Sequence, residues 1–210
     1  SGNNRDNMRK AQALLASAGW TLKGAELVNA KGEPFKFEIL IDSPMFERWI
    51  QPMMRNLEKL GIKTELRVVD SAQYQNRMND FAFDVIIRVF SQSLSPGNEQ
   101  LDNWGSAKAD VPGSRNICGI KDKVVDELID KLIRAKDRVE LVTITKALDR
   151  VLLWSFNVIP QWHTKTYRVA YWDIFGRPAI NPPYGLPVTE TWWIDDTKLA
   201  KINATGKRAK

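Results

Sequence analysis

The stretch that decides the fold runs from Gly61 to Ser95, and the polar run at its end continues to Glu99. It opens Gly61-Ile-Lys-Thr-Glu-Leu-Arg-Val-Val-Asp70, passes through a short polar segment to Phe83-Asp-Val-Ile-Ile-Arg-Val-Phe90, and ends Ser91-Gln-Ser-Leu-Ser-Pro-Gly-Asn-Glu99. Residues 62–69 alternate polar and apolar, as a half-buried strand does. Residues 85–90 are apolar except for Arg88, as in a strand covered on both faces. Ser71 to Asn79, between them, reads as a helix capped by Asp70 or Ser71. The polar run 91–99 then lies just past the carboxyl end of a central strand, the place where open α/β sheets bind their ligands.

Working upstream, Asp6 to Ala18 carries an apolar stripe of Met8, Ala11, Leu14, Leu15 and Ala18 at helical spacing. Gly19 stands at the left-handed C-cap position, and Trp20 folds back on the last turn. Residues 24–41 read as a hairpin turning over Asn29-Ala30-Lys31-Gly32, with Phe35, Phe37, Ile39 and Ile41 on one face of its second strand. Ser43 and Pro44 suit the N-cap and first turn of a helix that buries Ile50, Met53, Met54, Leu57 and Leu60 and stops at Gly61. Strand, helix, strand, helix, strand with short connections predicts an α/β fold with a mostly parallel sheet flanked by helices.

Downstream, residues 91–120 form a long polar connection, with Glu99 to Trp104 as a turn of helix inside it. Two helices follow, about 121–135 and 138–156. Their stripes are Val124, Val125, Leu128, Ile129, Leu132 and Ile133, then Leu141, Ile144, Leu148, Val151 and Leu152. Val158 to Trp162 and Arg168 to Trp172 read as short extended pieces. Beyond Trp172 prolines break the pattern, yet Trp192, Trp193 and Ile194 remain as apolar anchors without a core of their own.

Composition narrows the function. A chain of 210 residues, 43% hydrophobic, is long enough for a real core. The net charge of +6 comes from Lys and Arg spread among Asp and Glu, apart from the end Lys207-Arg208-Ala209-Lys210, so a dedicated nucleic-acid surface is not expected. One cysteine, Cys118, allows no internal disulfide and no cysteine zinc site, and one histidine, His163, leaves few catalytic constellations to build. No phosphate-binding loop and no GxGxxG after a strand is present. No cofactor or metal is expected. The start at Ser1-Gly2-Asn3-Asn4, already beside a helix, reads as a cut boundary with any export signal upstream.

Several segments together resemble a family. Arg9-Lys-Ala-Gln-Ala-Leu-Leu-Ala-Ser-Ala-Gly-Trp20 is similar to the "KAKxLLxEAGY" segment of bacterial extracellular solute-binding proteins of the peptide/nickel family, and Leu60-Gly-Ile-Lys-Thr-Glu-Leu66 to its "LGIKVEL". Tyr74 and Phe83-Asp84 fall where that family has "WxxYxxRxxxGxFD". Val124-Val-Asp-Glu-Leu-Ile129 resembles "PxvDxLI", and Val158-Ile-Pro160 the "IPLY" strand. Residues 93–100 and Glu190-Thr-Trp-Trp193 look like the branch that takes up oligopeptides and microcin C.

The resemblance implies a type II periplasmic-binding-protein fold and a non-enzymatic role. The chain would be the carboxy-terminal lobe of a two-lobed periplasmic protein that closes on peptides or peptide-like solutes and delivers them to an ABC permease in the inner membrane. Residues 1–164 would be the ligand-binding lobe. Residues 165–210 would cross over to the missing amino-terminal lobe, leaving a tail free to pack back or to dock on a second copy as a homodimer. The resemblance also implies the site. Phe90 takes the place of the family's aromatic at the strand end. Ser93 stands where some peptide-binding members carry the Asp that holds the peptide ammonium, and this departure puts an amine clamp in doubt. Gln92, Ser93, Ser95 and Asn98 offer neutral donors and acceptors, Asn116 would face the cleft, and Arg88 would meet a ligand carboxylate or phosphate or else form a structural ion pair. The rival reading is a small α/β enzyme with residues 91–120 as its lid.

Overall fold

The computed structural model describes residues 4–164, 166–182 and 185–204. Helix α1 (Asn4–Ser17) presents Met8, Ala11 and Leu15 to Leu27, Leu60 and Ile62, while Leu14, expected in the same stripe, is exposed. The helix ends as its sequence predicts. Gly19 has φ +86°, its N–H donates to Ala16 O at 3.0 Å, and the Trp20 N–H donates to Leu15 O at 3.0 Å. That is a Schellman closure with glycine in the left-handed position. It directs the Trp20 ring onto Phe35, with centroids 4.6 Å apart.

The expected hairpin over 24–41 forms only around its turn, where the Phe35 N–H donates to Leu27 O at 2.8 Å and the Asn29 N–H to Glu33 O at 3.0 Å. Strand β1 (Thr21–Lys23) pairs antiparallel with β2 (Glu26–Val28), and the Val28–Pro34 bridge with those two bonds links β2 to the segment leading into β3 (Lys36–Ile41). Strand β3 instead joins the main sheet and pairs parallel with both β4 (Lys63–Val68) and β5 (Val85–Ile86), giving the order β4-β3-β5. Ile39, Leu40 and Ile41 are essentially inaccessible to solvent, as a strand flanked on both edges and covered on both faces must be.

This corrects the expectation that residues 83–90 form the central strand. Their ladder is two residues long and lies at the edge of the described sheet. A run of apolar residues reports burial, but it does not say which neighbour does the burying. Here Phe90 is held by packing against side chains and not by strand pairing.

The two crossovers lie on opposite faces. After a 3₁₀ turn at Pro44–Phe46 capped by the Ser43 hydroxyl, α2 (Glu47–Glu58) places Ile50, Met53 and Met54 on Ile39 and Ile41. Helix α3 (Ser71–Asn79), capped by Asp70 accepting from the Gln73 N–H, places Tyr74 and Met78 on Leu40. From β3 the chain turns to one face, and from β5 it continues along the other.

Helices α4 (Glu99–Trp104), α5 (Lys123–Ile133) and α6 (Arg138–Trp154) build a second core from Trp104, Ile120, Val125, Ile129, Leu132 and Leu148. Asp122 caps α5 through the Val124 and Val125 N–H groups, and Asp137 caps α6 through Glu140. Val124 and Ile133 fall outside the buried stripe of α5.

Residues 158–162 and 168–172 run without strand pairing. The distal segment folds into β6 (Phe175–Gly176), α7 (Val188–Thr191), β7 (Trp193–Ile194) and α8 (Asp196–Ala204). A small aromatic cluster holds it, with Trp192 against Tyr171 at 4.7 Å and Phe175 at 6.1 Å. Strands β6 and β7 pair antiparallel. Among the described residues, none of the four core clusters draws on a side chain beyond Leu152. Trp154, Phe156, Ile159, Trp162, Tyr167 and Trp172 are all more than half exposed. The basic end 207–210 lies outside the described residues.

Candidate ligand-binding site

The exit of β5 is fixed from below. Tyr74, buried on α3, donates its hydroxyl to Ile87 O at 2.7 Å. Burial, then the Asp42 carboxylate at the end of β3, push its pKa up against a smaller opposing effect of Arg88. Asp42, Tyr74 and Arg88 thus gather at the carboxyl edge of the sheet. Two residues further on, Phe90 leans on the Trp104 ring at 4.8 Å and touches both the sheet core and the helical core.

A pocket of about 440 Å³ opens between the segment 90–96, α4 and α6. Phe90, Trp104, Leu141 and Leu152 supply apolar wall. Gln92 and Ser93 face it from the segment, and Arg138, Lys146 and Asp149 stand on the α6 side. The segment is tied to α6 by Arg138, whose Nη1 donates to Leu94 O at 2.6 Å and to the Ser95 hydroxyl at 3.3 Å.

Beneath it runs a chain of side-chain hydrogen bonds. The Trp104 indole donates to Gln100 Oε1 at 3.1 Å. Gln100 Nε2 in turn donates to Gln92 Oε1 at 2.7 Å and to Glu99 Oε1 at 3.1 Å. Gln100 is buried at 4% exposure, and every hydrogen-bonding position these contacts demand of it is used. Burial pushes the Glu99 carboxyl up, but the N–H groups of Gly97 and of Glu99 itself, with the Gln100 amide, more than offset this and hold it below its usual value.

The structure brings together Phe90, Gln92 and Ser93 in the pocket lining, with Ser95 just behind as a partner of Arg138. It does not bring the other three there. Arg88 is exposed beside Tyr74, and Asn98 is exposed at the start of α4 without a capping bond. Asn116, expected to face the cleft, is fully buried. It donates to Gly105 O and Ile120 O and accepts from the Ile120 N–H, all within 3.0 Å, so its amide is consumed in closing the loop before α5. The sequence pattern passed over Gln100, Trp104 and the α6 wall. Leu141 and Leu152 were legible only as core stripe, and nothing in a lone Gln marks it as a buried relay.

Residues 1–111 match the model described as bacterial extracellular solute-binding proteins, family 5 Middle. The chain belongs to that family. It is 52% identical over 190 residues to "Uncharacterized protein y4wM" of Sinorhizobium fredii, covering 90% of this chain and 29% of that protein. It is 47% identical to "Probable peptide-binding protein YejA" of Agrobacterium fabrum, covering 90% of this chain and 31% of the relative. The chain therefore spans about a third of the length of the curated relatives it matches. Among solved structures it resembles the mannohexaose-bound periplasmic oligopeptide-binding protein of Thermotoga maritima, with a TM-score of 0.68 at 21% identity over 81% of this chain and 33% of that one. At that identity the likeness carries the fold, the α/β architecture of type II periplasmic binding proteins.

Family 5 proteins bind solutes and are not enzymes, and the side chains here suit that chemistry. Cys118 Sγ lies 3.8 Å from Asn157 O with its pKa raised by burial, and His163 is exposed. Neither lines the pocket. What converges on the pocket is aromatic surface, aliphatic surface and neutral amide and hydroxyl groups, with charges at the rim. That is a set for holding a ligand.

Proposed function

We propose that this chain is the carboxy-terminal ligand-binding lobe of a periplasmic solute-binding protein that serves an ABC importer and takes peptides or peptide-like solutes, in the oligopeptide and microcin C branch. The observation that carries the reading is the pocket at the exit of β5. It presents an aromatic wall with Gln92 and Ser93, groups suited to the side chains and backbone amides of a peptide, at the carboxyl edge of the sheet. Ser95 acts through Arg138 in shaping the segment. Arg88 and Asn98, both exposed, would reach ligand only across a closed cleft.

Two further observations support the lobe assignment. The chain spans about a third of its relatives, and exposed aromatic and aliphatic side chains concentrate between Trp154 and Ile194, past the last residue in any core cluster. An amino-terminal lobe would cover that belt and bring the second half of the contacts to the ligand, so that closure is stabilised only when ligand is present. Residues 165–210 are the segment that would cross to it, and the isolated chain has the means to dimerise through the same surface.

The test is equilibrium dialysis against a synthetic pool of three- to nine-residue peptides, with mass spectrometry of what is retained. The two-lobed protein is expected to retain peptides and the 210-residue chain alone to retain them far more weakly. Failure of the two-lobed protein to hold any peptide would sink the reading. Equal retention by the chain alone would sink the half-site argument.

A further inference from the structure

The hydrogen-bond chain under the pocket fixes which way Gln92 faces, and this has a consequence for what the pocket accepts. An indole N–H is a donor only. Trp104 must therefore meet the carbonyl oxygen of the Gln100 amide, at 3.1 Å. Gln100 then has only its NH₂ group left, which reaches Gln92 at 2.7 Å, so Gln92 must offer its oxygen. The Glu99 carboxylate, an acceptor, closes the second N–H of Gln100 at 3.1 Å and forbids the reversed arrangement. No choice of amide orientation other than this satisfies all three contacts. One of the two lone pairs of Gln92 Oε1 is thus taken, while Gln92 keeps both hydrogens of its Nε2 for the pocket it lines.

Resting on the reading of this pocket as the ligand site, we propose that it is an acceptor-selective subsite: it takes an apolar ligand group carrying a carbonyl or carboxylate oxygen, and disfavours an ammonium. Gln92 reads the acceptor, and Gln100 is a positioning residue that acts through it. The rim agrees in sign, with Arg138 and Lys146 against Asp149. Of the three charged groups two are cationic, and the Arg138 guanidinium is held against the segment by Leu94 O and Ser95. The walls agree in character, since Phe90 and Trp104 lie as a tilted aromatic pair at 4.8 Å beside Leu141 and Leu152. Substituting Gln92→Glu would reverse the selection: Gln100 Nε2 still finds an oxygen there, but the second oxygen now faces the ligand as an acceptor.

The experiment uses the 210-residue chain, ¹⁵N-labelled, with the Trp104 indole N–H assigned by its loss in Trp104→Phe. N-acetylphenylalanine, which joins a phenyl ring to a carboxylate through a short chain, and phenethylamine, which joins one to an ammonium, are titrated to millimolar concentration. The expected result is a saturable shift of the Trp104 indole with N-acetylphenylalanine and an affinity at least about tenfold weaker for phenethylamine, the scale of one hydrogen bond to a charged group. Gln92→Glu should invert that order, and Gln92→Leu should abolish the preference. Equal affinities, a preference for phenethylamine, or no saturable shift with either probe would overturn the proposal. Peptide retention by the two-lobed protein is read separately. Retention there without acceptor selection here removes this inference alone, and loss of retention removes the reading beneath it.

Discussion

Two glycines close two helices in the same way and differ in one physical respect, which makes them a matched pair. Gly19 has φ +86° at the end of α1 and Gly61 has φ +80° beyond α2. At each, the glycine N–H and the next N–H close a Schellman motif, with Ile62 donating to Leu57 O at 3.1 Å and Gly61 to Glu58 O at 2.8 Å. An alanine at Gly19 would meet nothing within 4 Å. An alanine at Gly61 would put its Cβ 2.8 Å from Leu27 N and 3.2 Å from Glu26 C, both backbone, and 2.6 Å from Leu22 Cδ1. The backbone cannot withdraw freely, because the Leu27 N–H is bonded to Gly61 O at 2.8 Å. Gly19→Ala should therefore cost only the left-handed strain, roughly 1–2 kcal/mol. Gly61→Ala should cost that plus an overpacking penalty of roughly 1–3 kcal/mol. For a chain of this size the difference corresponds to a midpoint about 2–12 °C lower for Gly61→Ala than for Gly19→Ala. Thermal unfolding followed by circular dichroism, with urea titration as a second axis, measures both. Equal midpoints for the two variants would show that the β2–Gly61 approach is not close in solution, and the packing of α1 and β2 on the sheet would have to be redrawn.

Other outcomes follow from the same geometry. Leu40→Ala removes a side chain with no solvent exposure from the central strand and should cost about 2–5 kcal/mol in urea unfolding. Asp122→Ala removes the acceptor for the Val124 and Val125 N–H groups at the start of α5 and should cost about 1 kcal/mol, measured the same way. The Glu99 carboxyl lies below its usual 4.5 in the folded chain, so its contribution to stability is complete above that value and is lost as pH falls through the lower folded value. Glu99→Gln should flatten the acid side of the stability profile below the usual carboxyl value, and an unchanged slope there would contradict the bonding described. Burial raises the Cys118 thiol, so iodoacetamide should modify it more slowly than a free thiol at mildly alkaline pH and at the ordinary rate in denaturant.

What could be read from the sequence was whatever a local rule governs. Ser43, Pro44, Asp70, Gly19 and Gly61 mark helix ends because a cap is satisfied within a few residues of itself. The stripes of α2 and α6 mark their buried faces because helical periodicity is local too. Parallel order followed from strand–helix–strand connection lengths. The pocket was half legible. Phe90, Gln92 and Ser93 follow a recognisable strand end, whereas its opposite wall comes from a helix some fifty residues later that reads only as core.

By itself the sequence determined the helices through α6, most of their ends, the parallel α/β plan and the polar run that follows β5, since each depends on neighbours close along the chain, whereas α7 and α8 went unread. Only the tertiary structure decided that β3 and not residues 83–90 is central, because both are apolar and burial from two sides looks the same in either. It alone decided that Asn116 closes a loop instead of facing the cleft. And it alone decided how the amides of Gln100 and Gln92 are turned, because the orientation of an amide is set by partners in space that no spacing along the chain encodes.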